Sequence, residues 1–363
     1  MMAELADKIK IAKKTIQAVA HDMAKSAQAA NLIYTPGDKP GFSRKQKGKS
    51  FSYFSGTKKI NDKITIDRIK NLVIPPAWKN VWICKIANGH LQATGFDILE
   101  RKQYRYHSLW NTIRKQTKFY RLYEFGLVIP IIRKQIEKDL SLTGFPQEKI
   151  LAAVVSLLER TNIRVGNGFY EKLYGSFGLT TLKNRHVVIS GTQLRFSFKG
   201  KKGVVHDIML KSKKLSRIVK ACKDIPGKEL FEFFDDIGNI HCIDSGMVNN
   251  YISNITNGEF TTKDFRTWAG TVGTLVAFNE LGSFATTLEM NQKITAAFDM
   301  VAKQLGNTRT VCKNYYVHPV IVELYKEKKL GKYLDELKVI EKADGQKELT
   351  PVEKVLLKIL KYY

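Results

Sequence analysis

The sequence predicts an α+β protein. A small β-rich N-terminal domain precedes a larger, mainly helical domain that contains a three-stranded antiparallel sheet. Four short runs between residues 51 and 107 are rich in β-branched and aromatic residues and are separated by turn residues. From Leu109 onward the apolar spacing turns helical, interrupted at residues 186–210 by alternation of period two. The 363 residues, 44% of them hydrophobic, suffice for two or three domains with real cores and argue against a disordered chain.

In chain order, residues 3–33 carry Leu5, Ile9, Ile11, Ile16, Val19, Met23 and Ala27 as a rough amphipathic stripe, with Lys8, Lys10, Lys13 and Lys14 elsewhere. This marks residues 1–34 as an N-terminal helical extension, either docked or a loose arm. Residues 35–50, TPGDKPGFSRKQKGKS, read as a Gly/Pro/Lys loop. Strands are expected at FSYF (51–54), VWICKI (81–86), HLQATGFDI (90–98) and RKQYRYH (101–107), with Pro75–Pro76 breaking the middle. If the last run is a strand, Arg101, Gln103, Arg105 and His107 share one face and Lys102, Tyr104 and Tyr106 the other. Whether it is strand or turn stays open at this level.

A basic helical pattern runs from Leu109 to about Lys138, and a boundary near residue 113 separates a domain at 35–113 from one at 114–363. Residues 148–174 are helical in pattern, with Ile150, Val154, Val155, Leu157 and Leu158 on one side. HVVIS, LRFSFKG and VVHDIML then form the antiparallel meander, separated by Gly-containing turns. Residues 287–305 carry apolar residues at helical spacing and stop at Gly306. Thr350-Pro351-Val352-Glu353 is a capping box with Pro in the first turn, so a packed helix follows it.

Sixty Lys and Arg against 34 Asp and Glu leave a net charge of +26. Such a chain seeks a polyanion: nucleic acid first, an anionic membrane surface second. No run of ~18 apolar residues would span a membrane. No short apolar segment with a small-residue cleavage site opens the chain, which argues against secretion. The four cysteines, Cys84, Cys222, Cys242 and Cys312, form no CxxC pair. That excludes a zinc ribbon or dithiol motif and suits a reducing cytosol.

Nucleotide and metal motifs are missing. GKS at 48–50 lacks the glycine five residues earlier, where Ser43 stands, and FSYF follows it in place of a helix. GxGxxG and HExxH are absent, and no Asp, Glu or His cluster has metal-ligand spacing. No cofactor is expected. Without a metal, breaking a phosphodiester requires a side-chain nucleophile, fixed cations for the pentacoordinate transition state, and an acid for the leaving oxygen. Arg suits the clamp because its fork matches phosphate oxygens. Tyr suits a reversible nucleophile because phenolate also leaves well.

Four segments supply such groups: ERTNIRVGNG (159–168) with Arg164, LRFSFKGKKG (194–203) with Lys201, FTTKDFRTWAGT (260–271) with Arg266, and LGNTRTVCKNYYVHP (305–319) with Asn307 and Tyr316. These segments resemble the type IB DNA topoisomerases, in the compact branch of poxviruses and bacteria. IPPAW (74–78), GHLQATG (89–95) and RKQYRYH (101–107) resemble the bacterial members. The resemblance covers about residues 30 to 330. It implies that Arg164 and Arg266 are clamp arginines, Lys201 the general acid and Tyr316 the nucleophile. Asn307, nine residues before Tyr316, stands where eukaryotic and poxvirus members carry histidine. An amide donates a hydrogen bond but brings no charge.

Taken singly, each residue has a plainer reading. Arg164 could pair with Glu159, Lys201 could be one of a solvated basic turn, Arg266 could stack on Trp268, and either Tyr315 or Tyr316 could be core. The resemblance further implies DNA contacts from Arg101, Lys102, Gln103, Tyr104, Lys263 and Lys313. It implies a monomer acting on double-stranded DNA, without nucleotide cofactor, metal or membrane, in the cytoplasm at the nucleoid. The catalytic fold it implies is shared with tyrosine recombinases, which carry HxxR at the second arginine where this chain has Lys263 and Arg266 in KxxR form. A recombinase, or a non-catalytic DNA-binding protein, is the alternative.

Overall fold

The computed structural model describes residues 19, 22–48, 50–235, 237–258, 260–337 and 347–362, with backbone only for Lys115 and Glu336. Leu5, Ile9, Ile11 and Ile16 of the N-terminal stripe, and Lys49 of GKS, lie outside the described residues. The protein is α+β. It divides into two compact units, one ending at Arg121 and one starting at Leu122. The division falls within a single helix, Ser108–Asp139.

In the first unit, α1 (Met23–Ala29) is N-capped by Asp22, whose carboxylate accepts from the Lys25 N–H at 2.9 Å. Ala27, Ala30, Leu32, Trp110 and Ile113 form a small core around it. The sheet consists of β1 (Phe42–Lys47), β2 (Ser50–Ser55), β3 (Lys58–Lys59), β4 (Lys79–Ile83), β5 (Leu91–Phe96) and β6 (Lys102–Tyr106), with α2 (Lys63–Asn71) between β3 and β4. Its order is β3-β2-β1-β4-β5-β6, and every neighbouring pair is antiparallel. Ile69, Val81, Ile83 and Ala93 are its core.

The expected loop at 35–50 is corrected here: Phe42–Lys47 is a strand paired with both β2 and β4. Its charged residues hide it from a hydrophobic pattern, and its stabilisation comes from partners elsewhere in the chain. Arg44 stacks its guanidinium 4.2 Å from the Phe51 ring centroid. It also donates to the carbonyls of Ile74, Pro75, Pro76 and Trp78. One side chain thus fixes the IPPAW segment, whose prolines remove two N–H groups from any regular ladder. Residues 102–106 settle as a strand, and Ser50 opens β2, so no helix follows the GKS tripeptide.

Helix α3 (Ser108–Asp139) leads into the second unit. There follow α4 (Gln147–Thr161), α5 (Gly168–Tyr174), the meander β7 (Val187–Ser190), β8 (Gln193–Lys199) and β9 (Val205–Lys211), and α6 (Lys213–Lys223). A short hairpin, β10 (Glu232–Phe234) and β11 (Ile240–Cys242), precedes α7 (Ser245–Ile255), α8 (Thr262–Leu281), α9 (Thr287–Leu305), α10 (Arg309–Tyr315), α11 (Pro319–Lys326), α12 (Gly331–Leu334) and α13 (Pro351–Tyr362). Every residue of α4 from Ile150 to Leu158 is buried, which makes this helix the axis of the core. Phe125 of α3 sits edge-on to Phe260, Phe265 and Trp268. Gly126, next to it, admits the Trp268 ring: a Cβ there would lie 2.6 Å from it.

The capping box forms as expected. The Thr350 N–H donates to Glu353 at 2.7 Å, and the Glu353 N–H reaches the Thr350 hydroxyl at 3.4 Å. Glu353 is 6% exposed yet well partnered, accepting from Arg133 at 2.8 Å and from the Trp268 indole at 3.0 Å. Among the described residues no helix is long and apolar enough to cross a membrane.

Candidate active site

Four of the five predicted catalytic side chains meet where the ends of α4, α9 and α10 face α8. Helix α4 ends at Asn162 in the left-handed region, φ 57°, and the chain turns out through Arg164. The Arg164 backbone is locked: its carbonyl accepts from the Leu179 N–H at 2.9 Å, and Thr180 N–H bonds Val165 at 2.7 Å. Gly178 permits this approach, since a Cβ there would lie 2.6 Å from the Arg164 carbonyl oxygen.

Arg266, in the second turn of α8, is 5% exposed. Its guanidinium donates to the Asn162 carbonyl and, at 2.7 Å, to the Leu305 carbonyl. Those carbonyls end helices α4 and α9, where partial negative charge accumulates and a cation is favoured. Arg164 donates to the Gly306 carbonyl at 3.2 Å and to the Asn307 side-chain oxygen. That bond fixes the amide's orientation and leaves Nδ2 as a donor. The Nδ2 of Asn307 and the Nε of Arg266 are both buried without a hydrogen-bond partner. Burial, and then the charge of Arg266, pushes the Arg164 guanidinium down to about 10. Two cations and an orphaned amide donor therefore share one pocket of positive potential. A buried unpaired donor costs free energy until an acceptor arrives.

Tyr316 closes the pocket. It caps α10, and its ring lies 5.2 Å from the Arg266 guanidinium carbon. Its main chain is seated on α8. A Cβ on Gly270 would lie 2.5 Å from the Tyr316 carbonyl oxygen, so only glycine allows the contact. The Thr271 hydroxyl accepts from the His318 N–H at 3.1 Å. His318 then caps α11 by accepting from the Val320 N–H at 3.1 Å, with Pro319 in the first turn. Tyr315, by contrast, is 52% exposed.

Lys201 stands on the turn joining β8 to β9 and holds its ammonium 5.8 Å from the Tyr170 ring centroid. The simpler readings of the arginines do not hold: Glu159 pairs with Arg133 at 2.7 Å, and Arg266 faces Tyr316 while Trp268 bonds Glu353. Lys263 and Lys313 are exposed on α8 and α10. In the first unit, Arg101 and Gln103 both donate to Asp97, at 2.7 and 3.0 Å. Lys102 lies over Tyr104, which stacks on Tyr106 at 6.0 Å on edge strand β6. Sequence reasoning did not find Gly270, Thr271 or His206, all of which touch this site. Among the described residues no group of three or more His, Cys, Asp or Glu is arranged to hold a metal ion.

The family model for the eukaryotic DNA topoisomerase I catalytic core matches residues 107–343, which contain all five residues. The chain belongs to the type IB DNA topoisomerases. The model for the bacterial DNA topoisomerase IB N-terminal domain matches residues 50–97. The chain is 31% identical over 294 residues to DNA topoisomerase 1B of Acanthamoeba polyphaga mimivirus, covering 78% of this chain and 87% of that protein. It is 26% identical over 241 residues to DNA topoisomerase 1B of Vaccinia virus (strain Copenhagen), covering 64% and 72%. Helix α13 of this topoisomerase lies beyond the matched residues, yet its Glu353 holds Trp268, two positions from Arg266.

Proposed function

We propose that this type IB enzyme relaxes supercoiled double-stranded DNA of either sign through a covalent 3′-phosphotyrosyl intermediate on Tyr316. The observation that carries the reading is the pair of orphaned buried donors, Arg266 Nε and Asn307 Nδ2, beside the Tyr316 ring and Arg164. Donors placed in advance where negative charge develops stabilise a transition state without reorganisation.

The Tyr316 oxygen attacks the scissile phosphorus as the P–O5′ bond breaks, and the phenolic proton passes to solvent. Arg164, Arg266 and Asn307 hold the non-bridging oxygens. Lys201 gives its proton to the departing 5′-oxygen. The 5′-hydroxyl strand swivels, attacks the phosphotyrosine and restores the phosphodiester, regenerating the phenol. One ester replaces another at each step, so neither ATP nor a metal ion is required to conserve the bond. A monomer suffices, since all five groups come from one chain. Lys102, Tyr104, Lys263 and Lys313 add exposed contacts to the duplex, with Arg101 and Gln103 set by Asp97 beside them.

The test is plasmid relaxation in EDTA without ATP, on positively and negatively supercoiled substrates, with Tyr316→Phe as control. Relaxation of both signs by the parent, and none by the variant, is expected. Strict ATP dependence, relaxation of one sign only, or an active variant would overturn the reading.

A further inference from the structure

His206 lies on β9, five residues beyond Lys201, where two stretches of the site's backbone converge. Gly200, immediately before Lys201, approaches its imidazole so closely that a Cβ there would lie 2.6 Å from both Cδ2 and Nε2. Gly306, immediately before Asn307, approaches the Cε1 end: a Cβ there would lie 2.4 Å away. The ring stacks on Phe198 at 4.9 Å with 21° between planes. No hydrogen bond to its nitrogens is found among the described residues. Burial, and then Arg164 and Arg266, hold its pKa below the ordinary histidine value. The close approach of both glycines makes the shape of the imidazole the feature that matters here.

The turn it touches is tight. The Gly200 N–H donates to the Val204 carbonyl at 2.7 Å, and the Gly203 N–H to the Gly200 carbonyl at 3.1 Å. These two bonds tie Gly200, Gly203 and Val204 into one block. On the other side Gly306 is the left-handed cap of α9, φ 57°, and its carbonyl accepts from Arg164. The ring is the spacer between the block that carries Lys201 and the helix end that carries Asn307.

We infer that His206 is a positioning residue, which sets the Lys201 turn at its working distance from Arg164 and Asn307. The inference rests on the reading of Lys201 as the general acid. Proton transfer demands reach of hydrogen-bond length, and misplacement by ~1 Å can cost ~10²-fold in rate.

The experiment compares single-turnover cleavage, at saturating enzyme, of two DNA substrates. One has the natural bridging 5′-oxygen and the other sulfur there, whose thiolate leaves without a proton. His206→Ala is expected to cleave the oxygen substrate ~10²-fold more slowly and the sulfur substrate close to the parent rate. Gly200→Ala, whose backbone at φ −92° accepts alanine, is expected to show the same pattern because its methyl group displaces the ring. Lys201→Ala runs beside them. If it too is rescued by sulfur while His206→Ala is slow on both substrates, the role assigned to His206 is overturned and the acid stands. If Lys201→Ala is not rescued, the acid reading fails and takes the inference with it. Parent rates for His206→Ala on both substrates overturn the inference as well. Should the alanine variant not fold, His206→Gln, which fills part of the same slot, carries the same comparison.

Discussion

Gly270→Ala is the sharpest perturbation of the seat of Tyr316, the proposed nucleophile. Its methyl group would stand 2.5 Å from the Tyr316 carbonyl oxygen and 3.0 Å from the Tyr316 Cβ. Ordinary contact begins near 3.4 Å, so about 0.9 Å must be found. Both contacted atoms belong to a segment tied at two points, through Tyr316 N–H to Cys312 at 2.9 Å and His318 N–H to Thr271 at 3.1 Å. The segment therefore shifts as a unit and carries the phenol with it. A displacement of ~1 Å predicts ~10²-fold slower cleavage, or about 2.7 kcal/mol in the barrier. Stability responds less. Alanine in place of glycine favours a helix by ~1 kcal/mol, and overpacking costs ~1–3 kcal/mol. The net lies between about zero and 2 kcal/mol, at ~2–4 °C of melting temperature per kcal/mol. Covalent adduct formation in a single turnover, beside a thermal melt, measures both. Gly273→Ala is the control: on the same helix, its methyl group crowds only the flexible end of the Gln304 side chain and touches Val301 at an ordinary 3.5 Å, and it should keep the parent cleavage rate. A parent-like rate for Gly270→Ala, or unfolding large enough to account for the lost cleavage, refutes the reasoning.

Tyr316→Phe should abolish the covalent adduct and keep non-covalent DNA binding, while Tyr315→Phe should remain active; peptide mass analysis of the adduct locates the linkage. Asn307→Ala should slow cleavage less than Arg266→Ala, because it removes a neutral donor while the arginine also ties together Asn162 and Leu305; equal losses in single-turnover assays would contradict this. DNA affinity should fall steeply with salt, by about 0.9 in log K per log unit of salt for each phosphate neutralised, with on the order of 6–10 phosphates engaged; a flat response in a titration series would exclude such contacts. Glu353→Gln should destabilise the fold by about 1.5–3 kcal/mol at neutral pH, the range for hydrogen bonds to charged groups. Burial raises the Glu353 pKa, but Arg133 and Trp268 more than offset that and hold it below the usual carboxylate range. Its contribution is present above ~4.3, the free glutamate pKa, and disappears as pH falls through the lower folded value. Melts of parent and variant should therefore converge in acid; a gap that is constant with pH would show that Glu353 does not titrate as argued.

Much of this arrangement is legible in the sequence, and the boundary of legibility is physical. The meander shows itself because β8 alternates exposed and buried without a break from Gln193 to Lys199. Helix α13 shows itself because Thr350, Pro351 and Glu353 write its start in local chemistry. Strand β1 is hidden because SRKQK carries charge where a pattern reader seeks apolar residues, and its pairing is with β2 and β4. Helix α2 is hidden for a related reason: of its nine residues only Ile69 is buried. At the site, Arg164, Arg266, Asn307 and Tyr316 were found through the segments that carry them. Gly270 and His206 were not, because each matters through a contact with a distant stretch. Gly270 meets Tyr316 and His206 meets Gly306, and no local pattern in RTWAGT or VVHDIML records that meeting.

Arg266 is anchored by carbonyls at positions 162 and 305, which chain proximity alone would never bring together. A single guanidinium thus serves as keystone for the convergence of two helix ends and as part of the anion pocket. On the proposed mechanism, a partly opened molecule that still cleaved but could not reseal would leave lasting nicks. The double anchoring of Arg266 works against that condition. When α4 and α9 part, Arg266 loses its anchors and Arg164 loses Gly306 and Asn307 together. On that reading, the cation pair and the native architecture come apart in the same event.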